Sequence, residues 1–196
     1  MNAIQAGFEG LIVLEPKIYR DDRGFFYESW QSDRYKELGI QEVFVQDNVS
    51  ISYKNVLRGM HYQKGQGQLV SVIHGEVFDV VVDIRPESLT YLKYFSIELS
   101  AECPKQLYMS PGFAHGFYVI SDYVVMNYKC TQYYNKDAEG GLLWNDPAVE
   151  IQWPCTNPVV SEKDSTFLPY EAFNTVACQL ETEHKKHYRV WPGRES

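Results

Sequence analysis

LVSVIHGEVFDVVVDIR, residues 69–85, decides the fold class. LVSVI has the β-branched content of a strand, His74-Gly75 is a turn signal, and EVFDVVVDIR alternates with period two. Phe78, Val80, Val82 and Ile84 form one unbroken apolar face, while Val77, Asp79, Val81 and Asp83 mix carboxylates with valines on the other. A strand open to water on one side would not read this way. The even face is expected to pack on a second sheet or subunit. The odd face is expected to line a polar cavity, because charges on a packed strand need partners.

Working outward, residues 10–19, 25–30, 42–52, 91–99, 106–109, 113–121 and 123–131 also read as strands. Asp22-Arg23-Gly24 reads as a turn and residues 64–67 as a flexible loop. The spacing predicts a short helix over 32–38, with Ser32 as N-cap and Gly39 beyond its end, and a helical turn within 165–173. Many short strands with little helix indicate a mainly β sandwich or barrel.

The chain has 196 residues and is 44% hydrophobic, enough for one domain with a real core. Residues 1–175 read as that domain and 176–196 as a charged C-terminal tail. A net charge of −8 makes nucleic acid and anionic membranes poor partners. Cys103, Cys130, Cys155 and Cys178 form no C-x-x-C pair. No leader or membrane-length apolar run is read, so reduced thiols in the cytoplasm are expected.

The chemistry is expected at RGMHYQ, residues 58–63. Arg58 offers a planar fork of donors to an anion, and His61 is a base suited to neutral pH. The five histidines (His61, His74, His115, His184, His187) include no H-x-H pair, so neither a metal nor another cofactor is expected. There is no G-x-S-x-G elbow and no Gly-rich phosphate loop. What remains is acid–base chemistry, with His61 and His115 as candidate bases, Asp83 and Asp164 as carboxylates and Tyr128 as a phenolic acid. Each has a bland reading. His115 would be a bonded core histidine, Tyr128 wall packing, Asp164 part of the solvated run SEKDS, and Arg23 a turn charge.

DRGFFYESW, VQDNVSIS, LRGMHYQ, QLVSVIHGEVFDVVVDIR, SPGFAHGFYVIS, YKCTQYYNKDAEGG, LWNDPAVEIQWP and SEKD occur in an order that resembles the dTDP-4-dehydrorhamnose 3,5-epimerases, from about residue 4 to 173. The resemblance implies a cupin-type jelly-roll β-barrel, built as a homodimer that exchanges N-terminal strands. It implies a nucleoside-diphosphate 4-keto-6-deoxy sugar as substrate. His61 matches the base, Asp164 its carboxylate partner and Tyr128 the acid on the opposite ring face. Arg23, Glu28, Gln46, Asn48, Arg58 and Tyr134 match substrate-binding positions, with Arg23 and Glu28 supplied by the partner subunit. His115 and Asp83 match polar cavity residues. One departure stands out: Gln68 occupies the place of a lysine that the family usually carries beside the sugar ketone, and Lys64 is a possible substitute for it. Single-centre epimerisation or a CDP- or GDP-sugar is therefore an alternative. So are ketoisomerisation, a non-catalytic nucleotide-sugar-binding cupin and a metal-dependent oxygenase.

Overall fold

The computed structural model describes residues 1–170, and antiparallel strands dominate it. In chain order these are β1 (Asn2–Gln5), β2 (Leu11–Glu15), β3 (Ile18–Asp21), β4 (Gly24–Tyr27), helix α1 (Ser32–Glu37), β5 (Gln46–Tyr53), β6 (Leu57–Gln63) and β7 (Gln68–His74). Then follow β8 (Glu76–Asp83), β9 (Tyr94–Ser100), β10 (Gln106–Met109), β11 (Phe113–Val119), β12 (Tyr123–Cys130), β13 (Glu139–Gly141) and the one-turn helix α2 (Glu162–Ser165). One sheet has the order β1-β2-β10-β7-β12-β5, the other β13-β6-β11-β8-β9, and β3-β4 is a separate hairpin.

The His74-Gly75 turn does not close a hairpin. It carries the chain from one sheet to the other, so β7 and β8 face each other across the core. Gly75 has φ +81°, and a Cβ there would fall 2.2 Å from the Tyr123 carbonyl oxygen, so the sheet change requires glycine. Val77 and Val81 of β8 join Val70 and Val72 of β7, with Leu107, Phe117 and Met126, in the core between the sheets. The even face of β8 was expected against a second sheet or subunit. It is covered instead by the chain's own segment after β13, where Val80 and Val82 pack with Leu142 and Val149, flanked by Phe78 and Trp153.

The outer face of the six-stranded sheet is partly covered by α1 and its flanks. Tyr35 and Ile40 are fully buried against Ile12, Leu14, Leu69 and Tyr108. The Tyr35 hydroxyl donates to the Ser29 carbonyl at 2.9 Å and to Gln106 Oε1. The N-cap of α1 is Gln31 rather than Ser32, while Gly39 follows the helix at φ +100°, as its sequence position foretold. Strand β1 escaped the sequence reading because its four residues, Asn2 to Gln5, are all exposed and show no apolar/polar alternation, and it is held by backbone pairing with β2. Strand β5 starts four residues later than expected. The one-turn helix α2 ends at Ser165, where the expected helical turn would begin. Tyr170 is helical, and the rest of that expectation, 171–173, lies outside the described residues. The 176–196 tail, with His184 and His187, lies outside the described residues.

Asp83 anchors the turn after β8. It is fully buried and accepts from Arg85 Nε at 2.8 Å and Nη2 at 2.7 Å, and from the hydroxyls of Ser88 and Thr90 at 2.6 Å each. Burial alone would raise its pKa. The bonds from Arg85, Ser88 and Thr90 overcome that and hold it at about 2. A depressed carboxylate contributes stability that is complete above its unfolded pKa of about 3.9 and is lost as pH falls through the folded value. Asp83→Asn should therefore cost on the order of 2 kcal/mol in urea unfolding at neutral pH. The gap to wild type should close as pH drops from about 4 towards 2. A gap that stays constant down to that pH would show that the charge of Asp83 is not what stabilises the turn.

Candidate active site

The cavity opens between the two sheets at the end where β5, β6, β11 and β12 converge, and its volume is about 340 Å³. Arg58 and His61 are three residues apart, so a regular strand would point them to opposite faces. Both line the cavity. The reason is a bulge: opposite β11, His61 pairs with His115 but Arg58 pairs with Phe117, so β6 holds one extra residue. The strands touch there through glycines. A Cβ on Gly59 would lie 2.6 Å from Gly116 Cα, and one on Gly116 would lie 2.8 Å from the Arg58 carbonyl oxygen. The glycine inside RGMHYQ is thus a close-approach residue.

Two imidazole–carboxylate pairs stand side by side. His61 Nε2 lies 2.7 Å from Asp164 Oδ1, and Asp164 Oδ2 accepts the Gly59 N–H at 3.1 Å. Asp164 is buried by α2, where the Ser161 hydroxyl caps the helix by accepting the Asp164 N–H at 3.1 Å. Burial raises the pKa of its carboxyl, but the bond to His61 and the charge of that ring, with Gly59 and Ser161, bring it below the ordinary range. Across the ladder, His115 Nε2 lies 3.0 and 2.9 Å from the two oxygens of Asp79. Asp79 is completely buried; burial pushes its pKa up, and His115 opposes this.

Tyr128 enters the same cavity from the other sheet, on β12. Burial raises its pKa, as does neighbouring Cys130, while the Arg58 guanidinium works the other way. The balance keeps the phenol protonated at neutral pH. Beside it, β5 presents Gln46, Asn48 and Ser50 to the cavity, with Gln46 Nε2 donating to Asn48 Oδ1 at 3.0 Å. Arg58 Nε donates to Ser52 Oγ at 2.8 Å, and among the described residues Arg58 has no carboxylate partner. Its charge is left for an anion. Gln68 faces the cavity with its amide donating to Gln66 Oε1 at 3.0 Å. Lys64 is absent from the lining, so it does not replace the missing ammonium there.

At the mouth, Tyr134 donates through its hydroxyl to Glu139 Oε2 at 3.1 Å, and Lys163 Nζ lies 2.6 Å from Glu139 Oε1. Glu139 lines the cavity, and Lys163 holds it from outside. Burial would raise the carboxyl pKa of Glu139, but Lys163, Tyr134 and the charge of His61 keep it lower. Neither residue was picked out from the sequence. Glu139 sits in a loop-like NKDAEGG run, and the one signal for Lys163 was its adjacency to Asp164.

Three of the expected site residues lie elsewhere. Asp83 does not reach the cavity; Asp79 is the carboxylate on His115. Asp79 and Asp83 flank Val81, the register partner of His115, on one face of β8, so alternation alone could not choose between them. Arg23 is 90% exposed at the tip of the β3-β4 hairpin, paired with Asp21, and Glu28 pairs with Arg34. Neither lines this chain's cavity. Among the described residues, no three His, Cys, Asp or Glu side chains are grouped so as to hold a metal ion, and no helix is long and apolar enough to cross a membrane.

With the geometry in hand, comparison with known proteins is specific. Residues 5–171 match the family model described as dTDP-4-dehydrorhamnose 3,5-epimerase. The enzyme of that name from Salmonella typhimurium strain LT2 is 48% identical over 170 residues, covering 84% of this chain and 93% of that one. The crystal structure of dTDP-6-deoxy-D-glucose-3,5-epimerase from Legionella pneumophila Philadelphia 1, in complex with dTDP-4-keto-L-rhamnose, is also 48% identical. It covers 91% of this chain and 96% of its own, with a TM-score of 0.85. A more distant relative, the dTDP-4-dehydrorhamnose 3-epimerase of Streptomyces niveus, is 35% identical over 83% of this chain and 80% of its own. Matched over most of its length by model, sequence and structure alike, the chain belongs to the dTDP-4-dehydrorhamnose 3,5-epimerase family.

Proposed function

We propose that this protein epimerises a dTDP-4-keto-6-deoxy sugar at C3 and C5 by proton transfer through an enolate. The observation that carries the reading is the pairing of His61 with buried Asp164 in a cavity whose opposite sheet presents the protonated phenol of Tyr128. The C4 ketone acidifies the hydrogens on both neighbouring carbons. In this reading, His61 takes the proton from one face of the ring, and its electrons move into the C3–C4 or C4–C5 bond and onto the ketone oxygen. Tyr128 then donates a proton to the same carbon from the other face, which inverts it. Asp164 holds the imidazole in one orientation and offsets the charge it gains, as the carboxylate of a hydrolase triad does. Arg58 faces the diphosphate, with Gln46, Asn48 and Tyr134 on the nucleoside side. His115, held by Asp79, donates towards the sugar.

The single-centre alternative keeps one observation in its favour. Gln68 brings a neutral amide where the family usually has a cation, and loss of one oxyanion stabiliser costs about 10²–10³ in rate at comparable sites. Both readings are decided by following dTDP-4-keto-6-deoxyglucose in D₂O by NMR. We expect deuterium at C3 and at C5, with conversion to dTDP-4-keto-rhamnose. His61→Asn should slow both exchanges by about 10³-fold, and Tyr128→Phe should slow inversion by about 10²-fold or more. Exchange at one carbon alone would select the single-centre reading. Full exchange without His61 would remove the mechanism.

The reading includes a homodimer acting in the cytoplasm. The aromatic hairpin bearing Tyr19, Phe25 and Phe26 is exposed, as are Val49, Ile51 and Tyr53 on edge strand β5, and apolar surface of this extent favours a second copy. Cys103, Cys130 and Cys155 are free thiols, in keeping with a reducing compartment. Exchange of the hairpin would bring Arg23 and Glu28 to the partner's cavity. Arg23→Ala and His61→Asn chains, each inactive alone, should then regain activity when refolded together. The yield should be roughly one quarter of wild type, because half of randomly mixed dimers are mixed and each has one intact site. No gain over the separate variants would rule out a shared site.

A further inference from the structure

Among the described residues, one buried side-chain polar atom has no hydrogen-bond partner: Ser50 Oγ. Ser50 lines the cavity, in the middle of the stripe that β5 turns inward. The groups on either side are engaged, since Asn48 accepts from Gln46 and Ser52 holds the Arg58 guanidinium. Across the sheet, Ser50 pairs with Met126 of β12, whose side chain belongs to the apolar core. A hydroxyl needs a partner once it is withdrawn from water, and an unpaired one destabilises a fold. A serine in that position between two engaged neighbours is placed for an acceptor that arrives with a ligand.

We infer that Ser50 is a substrate-binding residue whose hydroxyl donates to a diphosphate oxygen of the bound nucleotide sugar. This rests on the function proposed above and names a further contact in the same cavity. The diphosphate is the favoured acceptor because Ser50 stands two residues from Ser52, on the same face, and Ser52 carries the guanidinium that lacks a carboxylate. An anionic oxygen also gives the stronger bond to a neutral hydroxyl.

The assignment has a two-sided signature that a purely structural serine would not give. Ser50→Ala removes an unpaired buried hydroxyl, so the unliganded protein should melt about 2–4 °C higher than wild type. The same variant should bind dTDP about tenfold more weakly by isothermal titration calorimetry, with a matching rise in KM for dTDP-4-keto-6-deoxyglucose. Thymidine, which has no phosphate, should bind both proteins alike. Unchanged dTDP affinity would overturn the inference. So would a loss confined to kcat, which would place the hydroxyl on the sugar ring instead. A lower melting temperature would show that Ser50 is already satisfied within the fold. Turnover by the wild-type protein in the same preparation tests the epimerase reading separately: if it fails while Ser50→Ala still weakens dTDP binding, the diphosphate contact stands without it.

Discussion

The bond between His61 and Asp164 ties together parts of the chain 103 residues apart, and the site depends on it. Asp164 reaches His61 because the last described segment returns to β6. The Leu57 N–H donates to the Val159 carbonyl at 2.9 Å, Val56 bridges Val159, and Ser161 caps the single turn that presents the carboxylate. The carboxylate then serves two donors, the imidazole and the Gly59 N–H at the bulge. Position and chemistry are therefore coupled. The group that would offset charge on His61 also pins the irregularity that turns Arg58 and His61 into one cavity. A buried carboxylate is costly unless bonded in this way.

Charge around the cavity is arranged in pairs with one exception. Asp164 sits with His61, Asp79 with His115, and Glu139 with Lys163. Arg58 faces a neutral hydroxyl. This concentrates the local demand for an anion at one end of the cavity in a chain whose net charge is −8, a demand that the diphosphate of the proposed substrate would meet. In the proposed mechanism Tyr128, from the facing sheet, is the second protonic group that inversion requires. A lone base can exchange a proton but has no donor on the far side of the ring.

Much of this was legible in the sequence, for identifiable reasons. The two-faced pattern of residues 76–83 showed that both faces of β8 are covered, because alternation is fixed by the pleat, but it assigned the faces the wrong way round: Val77 and Val81 meet the other sheet, and Val80 and Val82 meet the segment after β13. RGMHYQ pointed to Arg58 and His61, which the structure brings into one cavity, although the reason for its glycine appears only when β11 is alongside. Alternation could not say which of Asp79 and Asp83 meets His115, since both point the same way and the register of β8 against β11 decides. Asp164, read on its own, belonged to a solvated charge run; its burial comes from a helix cap and a long-range return of the chain that no local pattern encodes. Glu139 and Lys163 were missed for the same reason. The hairpin carrying Arg23 and Glu28 is the reverse case, because the residues are plain in the sequence and the single chain leaves them outside its own cavity.

The most direct test of the His61–Asp164 unit is a double-mutant cycle on the initial rate of deuterium incorporation into the keto sugar, using His61→Asn, Asp164→Asn and the double variant. If the two residues act as one device, the double variant should be no slower than His61→Asn by more than about threefold, because Asp164 has nothing left to orient. If the two losses multiply, each residue contributes independently, and the account of Asp164 as the partner of the base is contradicted.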